Sequence, residues 1–234
     1  PPAETDPHGF RYGRGDNAFE AVMVYYHIDT SQRYVQALDV GRPIQDVPLQ
    51  VNPHGLGPHD NSQYYPSMNA IAFGDGGIDD AEDADVIWHE YAHALLQSSA
   101  PGLLCQGCNE GRALHEGWAD YWAVSYSRWL AETQPSFLQD WTKVFTWDGN
   151  ESWLGRHLDK QGNYPDNFGC AGNVPCNIYN DGSIWATLLM EIYDVLGREV
   201  TDRLNLASHG YLSAPVTFAD AAEALVQADY DLYE

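Results

Sequence analysis

The sequence places two histidines four residues apart, with a glutamate directly after the first, in a segment of helical character. His89, Glu90 and His93 form the pattern H-E-x-x-H in the run DVIWHEYAH. On an α-helix, residues four apart share one face, so both imidazoles can reach a single cation. A second segment of helical character carries Glu116 and, four residues later, Asp120. The chain must therefore fold so that the polar faces of these two helices meet.

Two imidazoles and one carboxylate, around a divalent ion with one open position, are the ligand set of a hydrolytic zinc site. We therefore predict that His89, His93 and Glu116 bind zinc. Adjacent helical positions diverge by about 100°, so His115 cannot face the same ion as Glu116. Asp120 lies on the Glu116 face and is suited to accept the free N–H of a ligand histidine. The alternative is a pair of core histidines, but that arrangement would bury polar groups without partners.

The composition excludes several classes of protein. Hydrophobic residues make up 44 % of the chain and aromatic residues 13 %, which is typical of a packed globule. No apolar run is long enough to cross a bilayer. The 34 acidic and 11 basic residues give a net charge of −23, which repels phosphate backbones and anionic lipid. We expect neither nucleic-acid nor membrane partners. Solubility explains most of the acidity; bound calcium, a saline environment and cationic substrates are alternative explanations.

The first residues and the cysteines indicate the compartment in which the protein functions. The chain begins Pro1-Pro2, without an initiator Met or a signal-like stretch, as expected for a secreted protein matured from a precursor with a pro-segment. A trimmed chain would begin in the same way. Four cysteines form two close pairs, and two short-range disulfides in a secreted protein explain them most simply. Crossed pairings and a four-thiolate zinc site are the alternatives. The cysteines are Cys105, Cys108, Cys170 and Cys176.

Hydrophobic periodicity and turn residues predict an α+β chain. The predicted helices cover residues 17–38, 80–98, 113–132, 183–196, 200–212 and 217–229. The last opens on a sequence typical of a capping box, Thr217-Phe-Ala-Asp220. Short strands are predicted within residues 44–51 and 64–73, and the stretch 133–178 reads as irregular with a hairpin or two.

The motif residues and their surroundings resemble the zinc metallopeptidases of the thermolysin and fungalysin type, closest to the fungalysin branch. Beyond H-E-x-x-H and E-x-x-x-D, the resembling segments are 17–39, 69–75, 156–160, 164–166, 182–187, 217–221 and 227–229. The resemblance implies a thermolysin-like fold, with a small sheet-containing lobe at residues 1–98 and a mainly helical lobe at residues 99–234. The active-site cleft would lie between the lobes, on the motif helix. It also implies a secreted, monomeric endopeptidase that acts on peptide or protein substrates.

The resemblance assigns roles to the motif residues. His89, His93 and Glu116 would bind zinc, and Glu90 would act as general base and then return the proton to the leaving group. Asp120 would orient His89.

Further roles carried over by the resemblance concern the substrate. Asn69 and Ala70 would lie on an edge strand above the metal and pair with the substrate backbone. Arg156 would hold a substrate carbonyl just past the cleaved bond. Tyr179 stands where thermolysin has a histidine that hydrogen-bonds the developing oxyanion, and a phenol can donate the same bond.

Two points leave alternatives open. Asp85 matches a calcium-binding aspartate of thermolysin, whereas Ser127 stands where another calcium-binding carboxylate would lie. Asp85 is therefore a candidate calcium ligand without the full site. A catalytically silent, zinc-containing peptide-binding domain is the alternative function, although such a domain has no use for Glu90. A calcium-dependent adhesion module, suggested by the acidic run at residues 74–80, is more simply explained as a turn before a helix.

Overall fold

The structure is a computed structural model that describes residues 9–104, 109–134, 136–137, 140–150, 154–160, 162–170 and 176–234. Within them the chain has a mixed α+β fold with six α-helices and two small sheets. The helices are α1 (Ala18–Leu38), α2 (Ala84–Ser99), α3 (Asn109–Thr133), α4 (Ile178–Leu196), α5 (Arg198–Ser208) and α6 (Phe218–Tyr233). The strands are β1 (Gln50–Gly57), β2 (Gln63–Tyr65), β3 (Ala70–Gly74), β4 (Lys143–Val144) and β5 (Arg156–His157).

All six predicted helices are confirmed, with differences at their ends. The prediction that the motif helix begins at Asp80 is wrong: residues 80–82 form a short 3-10 helix, and α2 begins at Ala84. The reason is the Asp83 side chain, which accepts the backbone N–H of Asp85 at 2.8 Å and caps α2. The capping box at the start of α6 is confirmed, with Thr217 and Asp220 bonded reciprocally.

The larger sheet has the strand order β1-β3-β2. β3 pairs in parallel with β1 and antiparallel with β2, so Ala70 faces Gln50 on one side and Tyr65 on the other. The expectation that Asn69 and Ala70 begin an edge strand is therefore wrong. Within the described part of the chain, residues 70–72 of β3 are paired on both sides, so this part of the strand has no free edge for another strand. The outer strand next to it is β2.

Helix α2 lies at the centre of the molecule and is buried on nearly all sides. Aromatic side chains of α2, α3 and α4 fill the space around it, and the rings of Trp88 and Tyr126 stack with their centroids 4.1 Å apart. α3 and α4 approach closely where Gly117 meets Gly182. A helix buried in this way brings its polar residues into the interior, where they need partners or a ligand.

Two shorter features complete the fold. The predicted hairpin in the irregular stretch is present as the antiparallel pair β4–β5. The disulfide between Cys170 and Cys176 is confirmed, whereas Cys105 and Cys108 lie outside the described residues.

Among the described helices, none combines the length and apolar character that crossing a bilayer requires. The lobe boundary after residue 98 stays a prediction.

Candidate metal centre

Helices α2 and α3 bring the three predicted ligand side chains together. The Nε2 atom of His89 lies 3.1 Å from Nε2 of His93 and 3.4 Å from Oε2 of Glu116. Nε2 of His93 lies 3.9 Å from the same Glu116 oxygen. Ligand atoms of a tetrahedral ion with bonds of about 2.0–2.1 Å stand about 3.3 Å apart. The three side chains are therefore spaced to bind one divalent cation.

The second nitrogen of each imidazole contacts a buried group outside this triangle. Nδ1 of His89 lies 2.9 Å from Oδ1 of Asp120, the contact that the four-residue spacing from Glu116 predicts. Nδ1 of His93 lies 2.6 Å from Nδ1 of His115. His115, which the sequence suggests only as a rival to Glu116 for the ion, is thus a residue of the site. Such outer contacts fix which ring nitrogen carries the proton.

Arg156 connects this centre to the rings that surround it. Its guanidinium donates two hydrogen bonds to the Asp120 carboxylate, at 2.9 and 2.6 Å, and lies over the rings of Phe145 and Tyr179. Burial alone would raise the pKa of Asp120, but Arg156 and His89 outweigh burial and lower it. Asp120 is therefore ionised and suited to accept an imidazole N–H.

Glu90 lies next to the triangle, with a carboxylate oxygen within 4.8 Å of a ring nitrogen of His89 and of His93. The residue is buried, and its Oε2 atom has no hydrogen-bond partner among the described residues. Burial raises the pKa of Glu90 to about 7; His89 opposes the shift, and the charges of Glu116 and Asp80 add to it. A carboxyl group with a pKa near neutrality can both accept and return a proton.

The ligand side chains differ in how they hold protons. Burial would raise the pKa of Glu116, but His93 and His89 together bring it down to about 2. Burial lowers the pKa of His93 well below its ordinary value. Burial also lowers that of His89, yet the contacts with Asp120 and Glu116 outweigh it and raise the pKa to about 9. A cation that binds Nε2 of His89 therefore competes with a proton.

The centre opens into a cleft of about 640 Å³. The cleft is lined by the candidate ligands and by Glu90, Arg156 and Tyr179, but not by Asn69 or Ala70. The Asn69 side chain instead accepts hydrogen bonds from Gln45 and Tyr64. The substrate-binding role of Asn69 and Ala70 stays a prediction, without the edge strand on which it was based. The wall they were expected to supply is formed by the segment 60–64, which includes the start of β2.

Asp85, the candidate calcium ligand, lies apart from this cleft. Its carboxylate is buried and accepts hydrogen bonds from the Ser127 hydroxyl and, at 3.1 Å, from the backbone N–H of Phe145. Among the described residues, Asp85 is in none of the groups whose ligand atoms converge on one point. Its calcium role stays a prediction.

Fold and site together define a class: an α+β protein with a buried His-His-carboxylate centre between two helices, a glutamate beside it and a cleft above it. Comparison of the sequence with protein-family models and with curated proteins gives no match. The functional assignment therefore depends on the residues of the site.

Proposed function

We propose that this protein is a secreted zinc-dependent endopeptidase of the thermolysin and fungalysin type. The observation that carries the proposal is the convergence of His89, His93 and Glu116, whose ligand atoms lie within 3.9 Å of one another, with Glu90 alongside. A structural zinc site has four protein ligands and no adjacent base, whereas a hydrolytic site keeps a position open. Two nitrogens, one carboxylate and a neighbouring carboxyl group fit the hydrolytic kind.

The residues fit zinc in both chemistry and position. Imidazole nitrogen and carboxylate oxygen are ligands that zinc accepts at the spacing found here. Bound in this site, zinc acts as a Lewis acid toward the substrate carbonyl and lowers the pKa of a water molecule. Asp120 and His115 would hold the two imidazoles with Nε2 directed at the ion.

Glu90 would carry the proton through the reaction. It would take a proton from the attacking water as the oxygen bonds to the peptide carbon. It then gives that proton to the departing amine nitrogen. Tyr179, at the cleft wall, would donate a hydrogen bond to the oxyanion, a contact typically worth about 3 kcal/mol of barrier. A Tyr179→Phe variant with unchanged kcat would remove Tyr179 from this role.

The cleft suits an extended peptide. β2 is an outer strand, and its residues Gln63 and Tyr64 line the cleft, so we assign to β2 the backbone pairing expected earlier of β3. Arg156 would hold a substrate carbonyl on the other side. We place the cleft between a lobe of residues 1–98 and a lobe of residues 99–234, and we propose that the enzyme acts as a monomer. The disulfide at Cys170 is consistent with secretion.

Metal analysis combined with a fluorogenic peptide assay tests this proposal. The purified protein is expected to contain one zinc ion per chain and to cleave a mixture of internally quenched peptides. A zinc chelator should abolish cleavage, and added zinc should restore it. Bound zinc without cleavage of any peptide would instead identify the silent peptide-binding domain. A protein that binds no zinc would contradict both functions.

A further inference from the structure

A second group of potential ligands lies in the same cleft, and the proposed peptidase function does not use it. Carboxylate oxygens of Asp60, Asp80 and Asp148 all lie within 4.8 Å of one another. The three residues come from separate parts of the chain: the segment before β2, the 3-10 helix before α2, and the segment after β4. All three line the cleft that contains Glu90.

Two of these carboxylates have unsatisfied oxygens in the interior. Asp80 is 2 % exposed and Asp148 is 8 % exposed, and the Oδ1 atom of each is buried without a hydrogen-bond partner among the described residues. The other Asp80 oxygen accepts the Ser62 hydroxyl at 2.5 Å. Burying anionic oxygens side by side without partners is costly, because each loses its hydration and repels the others. A bound cation would remove both penalties.

We propose that Asp60, Asp80 and Asp148 form a binding site for a calcium ion. The donors are all carboxylate oxygens, the ligands that calcium prefers, whereas the zinc centre offers two nitrogens. Calcium binds oxygen at about 2.3–2.6 Å, so ligands of one ion stand up to about 5 Å apart, and oxygens within 4.8 Å of one another can share it. Magnesium usually keeps several waters and binds through one or two carboxylates, whereas three converge here. Water completes the shell, since three side chains are fewer than the ligands that calcium takes.

A second acidic group nearby differs from the Asp60 cluster in the charges that surround it. Glu20, Asp79 and Glu82 also bring carboxylate oxygens together. There, however, Glu82 already has a cationic partner, since its Oε2 lies 2.6 Å from the guanidinium of Arg14. In the Asp60 cluster the neighbouring groups are negatively charged instead. Burial and the carboxylates of Asp80, Asp60 and Asp83 raise the pKa of Asp148 to about 7.

A calcium ion here would join the three chain segments that carry its ligands. Asp148 lies 68 residues from Asp80 in the sequence, so the ion would fix the segment after β4 against the 3-10 helix that precedes α2. Asp60 would add the segment before β2, which forms the cleft wall. The site would therefore order the wall on which a substrate lies, without taking part in the chemistry.

Calorimetric titration with calcium chloride tests the site directly. The zinc-supplemented protein is expected to bind one calcium ion per chain, with a Kd on the order of 10⁻⁶ to 10⁻³ M. Asp148→Asn should weaken binding at least tenfold, and so should Asp60→Asn, whose exposed position makes it harmless to folding. Asp229→Asn removes the same charge at an exposed position of α6, outside the cleft, and should leave the affinity unchanged. Absence of calcium binding, or wild-type affinity in both cluster variants, would overturn the proposal.

Thermal unfolding provides a second test, because calcium is expected to reverse which of two proteins, wild type or Asp148→Asn, has the higher melting temperature. In calcium-free buffer, Asp148→Asn should melt at a higher temperature than wild type, because it relieves repulsion among the carboxylates. With saturating calcium, wild type should melt at the higher temperature. An equal calcium response in both proteins would contradict the site. Neither measurement reads peptide cleavage, so an active peptidase without calcium binding would refute this inference alone, and an inactive calcium-binding protein would refute only the proposed function.

Discussion

His93 is held between two different kinds of neighbour. Its Nε2 faces Glu116, and its Nδ1 lies 2.6 Å from Nδ1 of His115. Two ring nitrogens at this distance can bond only if one carries a proton and the other does not. When Nε2 of His93 binds a cation, Nδ1 of that ring carries the proton and His115 accepts. Burial lowers the pKa of His115 to about 4, so its ring stays neutral and able to accept.

Replacing His115 should therefore weaken metal binding without removing a ligand. His115→Leu leaves the Nδ1–H of His93 buried and unpaired, and zinc affinity is expected to fall about 10- to 100-fold. His115→Asn keeps an oxygen acceptor and should stay closer to wild type. Competition with a chromogenic chelator measures both affinities. Equal affinities for the leucine variant and wild type would show that His115 does not position His93.

The outcome for His115 shows how far spacing predicts a site. The four-residue intervals predict that His89 and His93 share a face, and that Glu116 and Asp120 do, because one helix fixes both positions. The place of His115 depends instead on how α3 is rotated against α2. That rotation follows from packing of residues far apart in the sequence, which spacing does not encode.

At the scale of helices, α3 and α4 meet at two glycines beside Glu116. A Cβ atom at Gly117 would lie 2.3 Å from the Gly182 carbonyl oxygen, and one at Gly182 would lie 2.6 Å from the Ala113 carbonyl oxygen. The backbones are thus closer than side chains would allow. The same contact fixes the part of α3 that carries Glu116.

The variant Gly182→Ala separates crowding from helix propensity. Propensity alone would favour alanine by about 1 kcal/mol, whereas crowding against backbone is expected to cost about 1–3 kcal/mol. We expect a lower free energy of unfolding in urea, together with weaker zinc binding as Glu116 shifts. Gly15→Ala is the control, since no atom lies within 4 Å of a Cβ there. A stabilised Gly182→Ala protein would contradict close helix packing.

The strands show why the sheet was harder to predict than the helices. Residues 64–73 read as one apolar stretch, but they form β2, a turn and β3. Asn69 has a φ of 46°, a left-handed conformation that asparagine tolerates, and Pro66 begins the turn. These two residues are a local signal for the turn. The central position of β3 has no such signal, because it depends on pairing with β1, about 20 residues earlier.

At the scale of the whole molecule, two buried histidines away from the ligand pair link stability to pH. His27 accepts a hydrogen bond from the Trp88 indole, and burial lowers its pKa to about 4. His209 contacts the Ser99 hydroxyl, and burial lowers its pKa to about 3. Both remain neutral in the folded state while the unfolded chain binds protons at about pH 6.5. The stability that they contribute is complete above pH 6.5 and is lost as the pH falls toward 4.

The free energy of unfolding is therefore expected to fall on acidification, by up to about 1.4 kcal/mol per pH unit for each such histidine. His27→Gln removes one titrating group and keeps an acceptor for Trp88, so it should reduce the slope between pH 6.5 and 4 by about one proton. Urea unfolding at several pH values gives the slopes. Identical slopes for the variant and wild type would show that His27 is protonated in the folded protein.

The α+β class and the six helices could be predicted from the sequence, because hydrophobic periodicity is a local property. The acidic cluster of Asp60, Asp80 and Asp148 could not, since its members meet only through the tertiary fold. Both candidate sites lie in one cleft, where bound cations would neutralise the carboxylates that meet there.

The central claim is that Glu90 performs proton transfer beside a zinc ion held by His89, His93 and Glu116. Measuring zinc content and quenched-peptide cleavage for wild type and Glu90→Gln tests it most directly, since glutamine preserves shape but cannot accept the proton. We predict one zinc ion per chain in both proteins and loss of nearly all turnover in the variant. Cleavage by Glu90→Gln at the wild-type rate would contradict the account.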